Sequence, residues 1–148
     1  MRPRLPKNVE IAVGLRLLSL LQLVYEGTDG RIGARLGPYR LLLLRTRGRK
    51  SGEIRTAELL YADDGDQLVV VGSKGGSDSP PAWLLNLEAD PEVEIQVGTR
   101  RWRTRAEVAS ADERRRLWPV VTRIWPDYDL YQSRSAREIP LVLLPIGD

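Results

Sequence analysis

Three apolar runs crowded between positions 41 and 74 constrain this chain more than any other feature. They are Leu41–Leu44, Leu59–Tyr61 and Leu68–Val71, each bounded by glycine or by charge. Short apolar runs with such flanks read as buried strands. What lies between them carries the chemistry. The first run delivers a basic turn, Arg45-Thr46-Arg47-Gly48-Arg49-Lys50-Ser51-Gly52, with Arg55 just beyond. The third delivers Gly72-Ser73-Lys74-Gly75-Gly76. Both turns offer backbone N–H groups, a hydroxyl and cations at the end of a strand. Backbone nests and cations of this kind bind phosphate without a helix. Only two strands join the turns, so both are expected to flank one groove.

The rest of the chain reads as one domain spanning 1–148, long enough for one core. Residues 1–8 hold Pro3, Pro6 and three cations and read as an arm. Residues 9–26 read as a helix. Ile11 to Tyr25 is almost wholly apolar, and Arg16, Ser19, Gln22 and Glu26 mark one narrow polar face. That run is short of the ~20 residues that cross a bilayer, and it lacks a small-residue cleavage site. Two readings stay open: packing on this domain or a second copy, or lying on a membrane surface aided by Arg2, Arg4 and Lys7. The expected location is cytoplasmic, at most peripheral at the inner face of the cell membrane. The oligomeric state is not set by the sequence.

Gly27–Pro38 is glycine-rich and reads as loop. Asp63-Asp64-Gly65-Asp66 is expected to turn a hairpin between Ile54–Tyr61 and Gln67–Gly72. Ser79-Pro80-Pro81 starts a helix over Ala82–Ala89 that stops at Asp90-Pro91. Glu92–Val97 alternates, turns at Gly98-Thr99, and returns along Arg100–Ala109. Ser110-Ala111-Asp112-Glu113 is a capping box opening a helix that Pro119 should kink or break. A second short helix follows Trp125-Pro126, and Ile139–Leu144 is the last strand. The fold class is α+β, mainly β: an antiparallel barrel with helical insertions.

With no cysteine and no histidine, the chain can form neither disulfides nor thiolate metal sites, and no histidine-based triad. Catalysis must rest on carboxylates, tyrosines, lysines or a cofactor. The charge is also uneven. Residues 1–62 carry 12 Lys/Arg against 5 Asp/Glu, while residues 63–148 carry 11 against 15, so the first part is where an anionic ligand should meet the protein. Nucleic acid is not the expected partner, because the four tryptophans are not interleaved with the basic run. Tyr128 and Tyr131, three apart, share a helix face beside Trp118 and Trp125. Such a cluster is either core or a wall that stacks on a substrate and donates a proton.

Taken together, Arg47-Gly48-Arg49-Lys50-Ser51-Gly52, Arg55-Thr56, Leu59-Leu60-Tyr61, Ser73-Lys74-Gly75-Gly76 and Pro81-Ala82-Trp83-Leu84-Leu85-Asn86-Leu87 resemble the deazaflavin-dependent nitroreductase and quinone reductase family. So do Asp90-Pro91-Glu92-Val93, Tyr128 with Tyr131, and Arg137-Glu138-Ile139-Pro140. The resemblance implies a split β-barrel related to flavin-mononucleotide-binding folds. It implies coenzyme F420, an 8-hydroxy-5-deazaflavin with an acidic phosphate-bearing tail, and reduction of a quinone or nitroaromatic acceptor. Flavin mononucleotide (FMN) is the alternative cofactor. By the same resemblance Arg49, Lys50, Ser51, Arg55, Ser73 and Lys74 would hold the tail. Ala57, Glu58, Leu59, Leu60, Val71 and Gly72 would line the deazaflavin, and Ala82, Trp83 and Asn86 would close over it. Tyr128 and Tyr131 would be catalytic. The family usually has proline where this chain has Glu58, whose side chain would either oppose an anionic cofactor or point to solvent. A different function class, a non-enzymatic carrier of a flavin-like or other anionic amphiphile, accommodates the same cleft.

Overall fold

The computed structural model describes residues 19–147. The arm and the first half of the N-terminal helix therefore lie outside the described residues. Residues 19–27 are helical (α1). A loop follows and contains β1 (Arg35–Leu36), which pairs with the start of β2 (Tyr39–Arg47). Then come β3 (Ile54–Leu60), β4 (Ala62–Asp64), β5 (Gln67–Val71), α2 (Ala82–Ala89), β6 (Glu92–Val97), β7 (Arg100–Arg105), β8 (Glu107–Val108), α3 (Ala111–Ile124), α4 (Asp127–Arg134) and β9 (Leu141–Pro145).

The strands form two antiparallel sheets. In the first, β2 is central, with β3 on one side and β6 then β7 on the other. The second runs β4-β5-β9-β8. No hydrogen-bonded strand pair closes the two into a full barrel among the described residues. They are joined where one strand of the first sheet runs straight into one of the second. β3 passes into β4 at Tyr61, and β7 passes into β8 at Ala106, whose N–H donates to the Pro91 carbonyl at 2.9 Å. This corrects two readings of the sequence. Ile54–Tyr61 does not form a hairpin with Gln67–Gly72; β3 pairs with β2, and the turn at Gly65-Asp66 joins only β4 to β5. Arg100–Ala109 is likewise two strands in different sheets.

The apolar runs are continuous because these strands are covered on both faces. Leu42 and Leu44 of β2 face the space between the sheets, with Leu68 and Val70 of β5, Ile95, Val142 and Leu144. Leu41 and Leu43 face the other way, under Tyr25 and Leu21 of α1. On β5 and β9, Val69, Val71, Leu141 and Leu143 pack against Leu117 and Val121 of α3 and Tyr128 of α4. Each such leucine or valine contributes roughly 1.5–3 kcal/mol by leaving water. α2 buries Trp83, Leu84 and Leu87 in the inter-sheet core. At α3 the capping box is formed in both directions, Ser110 with Glu113. Pro119 does not end that helix, which continues to Ile124.

Candidate functional site

The turn joining β2 to β3 is held in one shape by its own backbone. The Gly48 N–H donates to the Glu53 carbonyl at 2.7 Å, and the Gly52 N–H donates to the Gly48 carbonyl at 2.8 Å. Ser51 Oγ accepts from the Glu53 N–H at 3.1 Å. Gly52 has φ +73°, where a side chain would be strained. At Gly48 the limit is space: a Cβ there would lie 2.7 Å from Ser51 Oγ and 3.1 Å from the Glu53 carbonyl oxygen.

α2 braces this turn from the side through Asn86. Asn86 is buried, as is Thr46 at the end of β2. The Asn86 side-chain oxygen accepts both the backbone N–H of Arg49 (3.2 Å) and Arg49 Nη1 (3.0 Å). Its amide nitrogen donates to Thr46 Oγ1 at 3.2 Å. Burying an amide is tolerated when its hydrogen bonds are made, and here they fix where the Arg49 guanidinium can be.

Between turn and helix lies a cleft of about 350 Å³, lined by Gly48, Arg49, Lys50, Ser51, Arg55, Thr56, Ala57, Ala82, Trp83 and Asn86. Its floor is apolar, from Ala57, Ala82 and Trp83, and its rim is cationic. Among the described residues no carboxylate pairs with Arg49 or Lys50, whereas Arg47 is 3.6 Å from Asp90 and Arg55 is 3.6 Å from Glu53. The turn thus holds its two unpaired cations toward the cleft.

The structure gathers eight of the expected cofactor residues into this one cavity: Arg49, Lys50, Ser51, Arg55, Ala57, Ala82, Trp83 and Asn86. Val71, Gly72, Ser73 and Lys74 do not line it. Ser73 and Lys74 follow β5 in the second sheet, where the Gly72 N–H donates to the Pro140 carbonyl at 2.8 Å and Gly76 lies against Tyr131. Leu60, Val71 and Tyr128 meet instead in a separate, much smaller cavity with Tyr61, Ala62, Val69, Val121 and Ile124. Its volume of about 10 Å³ holds little more than a water. Leu59 packs on the inter-sheet core.

The aromatic cluster is core on one side. Tyr128 is packed among Leu117, Val121 and Val69, and burial pushes its phenol pKa well above the ordinary value, with Tyr131 adding to the shift. Tyr128 is therefore neutral at physiological pH and a weaker acid than an exposed phenol. The Tyr131 hydroxyl accepts from Trp125 Nε1 at 3.3 Å, and its ring meets Tyr128 edge-on at 6.1 Å.

Glu58 points neither to solvent nor into the cleft. Its register partner is Leu43, which places it on the α1 side of the sheet. Both of its carboxyl oxygens are buried without a hydrogen-bond partner. Three contributors to the cleft were not read from the sequence as ligand contacts: Gly48, Thr46 and Thr56. Gly48 had a visible signal, a glycine between two cations; Thr46 matters only through a contact with a residue 40 positions away.

Comparison with known proteins decides the family. Residues 19–145 match the F420H(2)-dependent quinone reductase family. The chain belongs to that family. An F420H(2)-dependent quinone reductase of Mycobacterium tuberculosis is 44% identical over 140 residues, covering 92% of this chain and 94% of the relative. A solved F420-H2-dependent reductase (FDR-A) superposes with a TM-score of 0.65 at 30% identity, covering 70% of this chain and 92% of that one. A further solved structure, described only as a domain-swapped dimer, gives a TM-score of 0.66 at 30% identity over 70% of this chain and 78% of that one. As a family member the chain is an F420-dependent oxidoreductase with the mainly antiparallel, split-sheet architecture of these structures. Of the two cofactors expected, F420 and FMN, the first holds. Among the described residues no helix is long and apolar enough to cross a membrane, and no cluster could hold a metal ion.

Proposed function

We propose that this quinone reductase binds the acidic tail of F420 on the β2–β3 turn and reduces a quinone, with nitroaromatics as further acceptors. The observation that carries the reading is the pair of unpaired cations, Arg49 and Lys50, on a braced turn over an apolar-floored cleft. The residues suit the coenzyme. Phosphate and carboxylate groups match Arg49 and Lys50 in charge, Ser51 adds a hydroxyl, and Ala57, Ala82 and Trp83 offer a surface for a planar ring. When bound, F420 supplies the hydride, which explains how a chain without histidine or cysteine performs redox chemistry.

The protein's own contribution is binding and orientation. Asn86 holds Arg49 so that the guanidinium need not be ordered by the ligand. Tyr128 lies outside the cleft in its own small cavity and burial makes it a weaker acid, so water is the expected proton source for an acceptor in the cleft. Ser73 and Lys74 would meet only parts of the ligand that extend beyond the cleft. The carrier alternative makes a different forecast, namely tight F420 binding with no turnover. Steady-state oxidation of reduced F420 by menadione, followed at the chromophore, separates the two. Turnover supports the reductase, and binding without turnover of menadione or of a nitroaromatic supports the carrier.

The acceptor's solubility suggests where it is met. Leu20, Leu23 and Val24 of α1 are 61%, 66% and 42% exposed, and Ile32 and Leu36 nearby are also exposed. Arg31 and Arg35 are exposed and alternate with Ile32 and Leu36 along the chain. An exposed apolar helix face followed in the chain by exposed cations suits an anionic bilayer surface, where lipid quinones dissolve. Co-sedimentation with phosphatidylglycerol vesicles, lost in Leu20→Asp/Leu23→Asp, is the expected result; equal recovery of both proteins in the supernatant would remove the membrane from the account.

A further inference from the structure

The buried carboxyl of Glu58 has no role in the cleft or in the aromatic cavity. Among the described residues it is also the only side chain with two buried, unpartnered polar atoms. Buried polar atoms almost always find a partner, so two orphan oxygens on one side chain call for an explanation. The groups around them define an interface. Glu58 lies on β3, an outer strand with no neighbour beyond it among the described residues. Across the ladder is Leu43, which packs with Leu41, Leu60, Leu21 and Tyr25 under α1. α1 is pinned to the same strand two residues earlier, where Gln22 Nε2 donates to the Thr56 carbonyl at 3.2 Å. One turn further along α1 stands Glu26, whose charge bears on Glu58.

Among the described residues no cation compensates. Arg45 of β2 lies on the same face, opposite Thr56, but its guanidinium is committed to Glu94 at 3.3 Å and Gln96 at 2.9 Å. The Tyr25 hydroxyl is likewise occupied, donating toward the Leu41 and Gln96 carbonyls and accepting the Gly98 N–H at 2.8 Å. Among the described residues Glu58 therefore faces a carboxylate, a phenol and an arginine that is already paired.

We infer that α1 is a pH-sensitive cover on the outer edge of β3, closed while Glu58 is protonated and loosened when Glu58 ionises against Glu26. The direction follows from linkage. Burial first, and then Glu26, push the Glu58 carboxyl from its ordinary value of 4.5 up to about 7. With α1 lifted, Glu58 meets water and regains an ordinary carboxyl pKa. The closed state thus binds the proton more tightly. It is favoured at low pH and loses ground as pH rises from 4.5 through 7. Lifting α1 frees the Thr56 carbonyl and bares the edge of the strand that leaves the cation turn.

The inference goes beyond the assignment of the cleft, and its test needs no coenzyme. Amide hydrogen exchange, expressed as protection factors, is measured for residues 24–30 and for β2 and β6 at pH 5 and pH 8. Wild type should lose about 10- to 100-fold protection over residues 24–30 across this interval, with β2 and β6 staying better protected throughout. Glu58→Gln, nearly isosteric and uncharged, should lose almost none. Glu26→Gln should lose less than wild type, because one of the two causes of the raised pKa is gone. The inference is overturned if Glu58→Gln follows the wild-type profile, if Glu26→Gln loses as much as wild type, or if α1 loses protection only together with β2 and β6.

Discussion

The turn after β2 and the turn after β5 look alike in sequence, each a glycine-flanked loop with a lysine and a serine, yet they occupy different worlds in the fold. The first is crossed by two backbone hydrogen bonds, gripped by a buried asparagine, and holds two unpaired cations over a cleft. The second springs from the other sheet and packs beside β9 and α4. The difference teaches that a cationic turn becomes a site when a second element fixes it and supplies an apolar floor. α2 does both for the first turn, through Asn86 and through Ala82 and Trp83.

Removing the cations of the first turn should have the largest effect. Charge-assisted hydrogen bonds are worth ~1.5–3 kcal/mol each, so Arg49→Ala/Lys50→Ala should weaken F420 binding about 100-fold or more, with an unchanged melting temperature. Asn86→Ala comes next. It strands the buried Thr46 hydroxyl and frees Arg49, at a cost of about 1–3 kcal/mol in stability and roughly tenfold in affinity. Denaturant melts and titrations read the two effects separately. Gly48→Ala places a methyl against Ser51 Oγ and the Glu53 carbonyl. It should destabilise by ~1 kcal/mol and weaken binding only a few-fold. Lys74→Ala, in the second turn, should change F420 affinity by no more than about threefold, the scale of an exposed charge. A Lys74 effect as large as that of Lys50 would erase the contrast between the turns.

Much of this was legible in the sequence because it is local. The capping box at Ser110, the start of α2 at Pro81-Ala82 and the Gly98-Thr99 hairpin all depend on neighbours along the chain, and all stand in the structure. The sheet switch at Tyr61 was not legible. Leu59, Leu60, Tyr61 and Ala62 form one unbroken apolar run, and nothing in its composition marks where pairing with β2 ends and pairing with β5 begins. The two turns were expected to share a groove because few strands join them, but the switch puts those strands in different sheets. The cleft residues carried by the β2–β3 turn and α2 came out together, since a short helix and a tight turn leave little freedom. Asn86 was visible only through resemblance. Its bonds to Thr46 and Arg49 span 40 and 37 positions and leave no trace in either stretch. Glu58 shows the same limit from the other side. Alternation along β3 could not tell which covering element the side chain would meet, and the answer was α1.

The central claim is that the acidic tail of F420 is held by Arg49 and Lys50. The most direct test is a fluorescence titration of wild type and Arg49→Ala/Lys50→Ala with two ligands, F420 and a deazaflavin that lacks the tail. The account predicts that wild type prefers F420 by tenfold or more and that the variant loses this preference while still binding the tail-less ring. An unchanged preference for F420 in the variant would contradict it and move the anion site away from the β2–β3 turn.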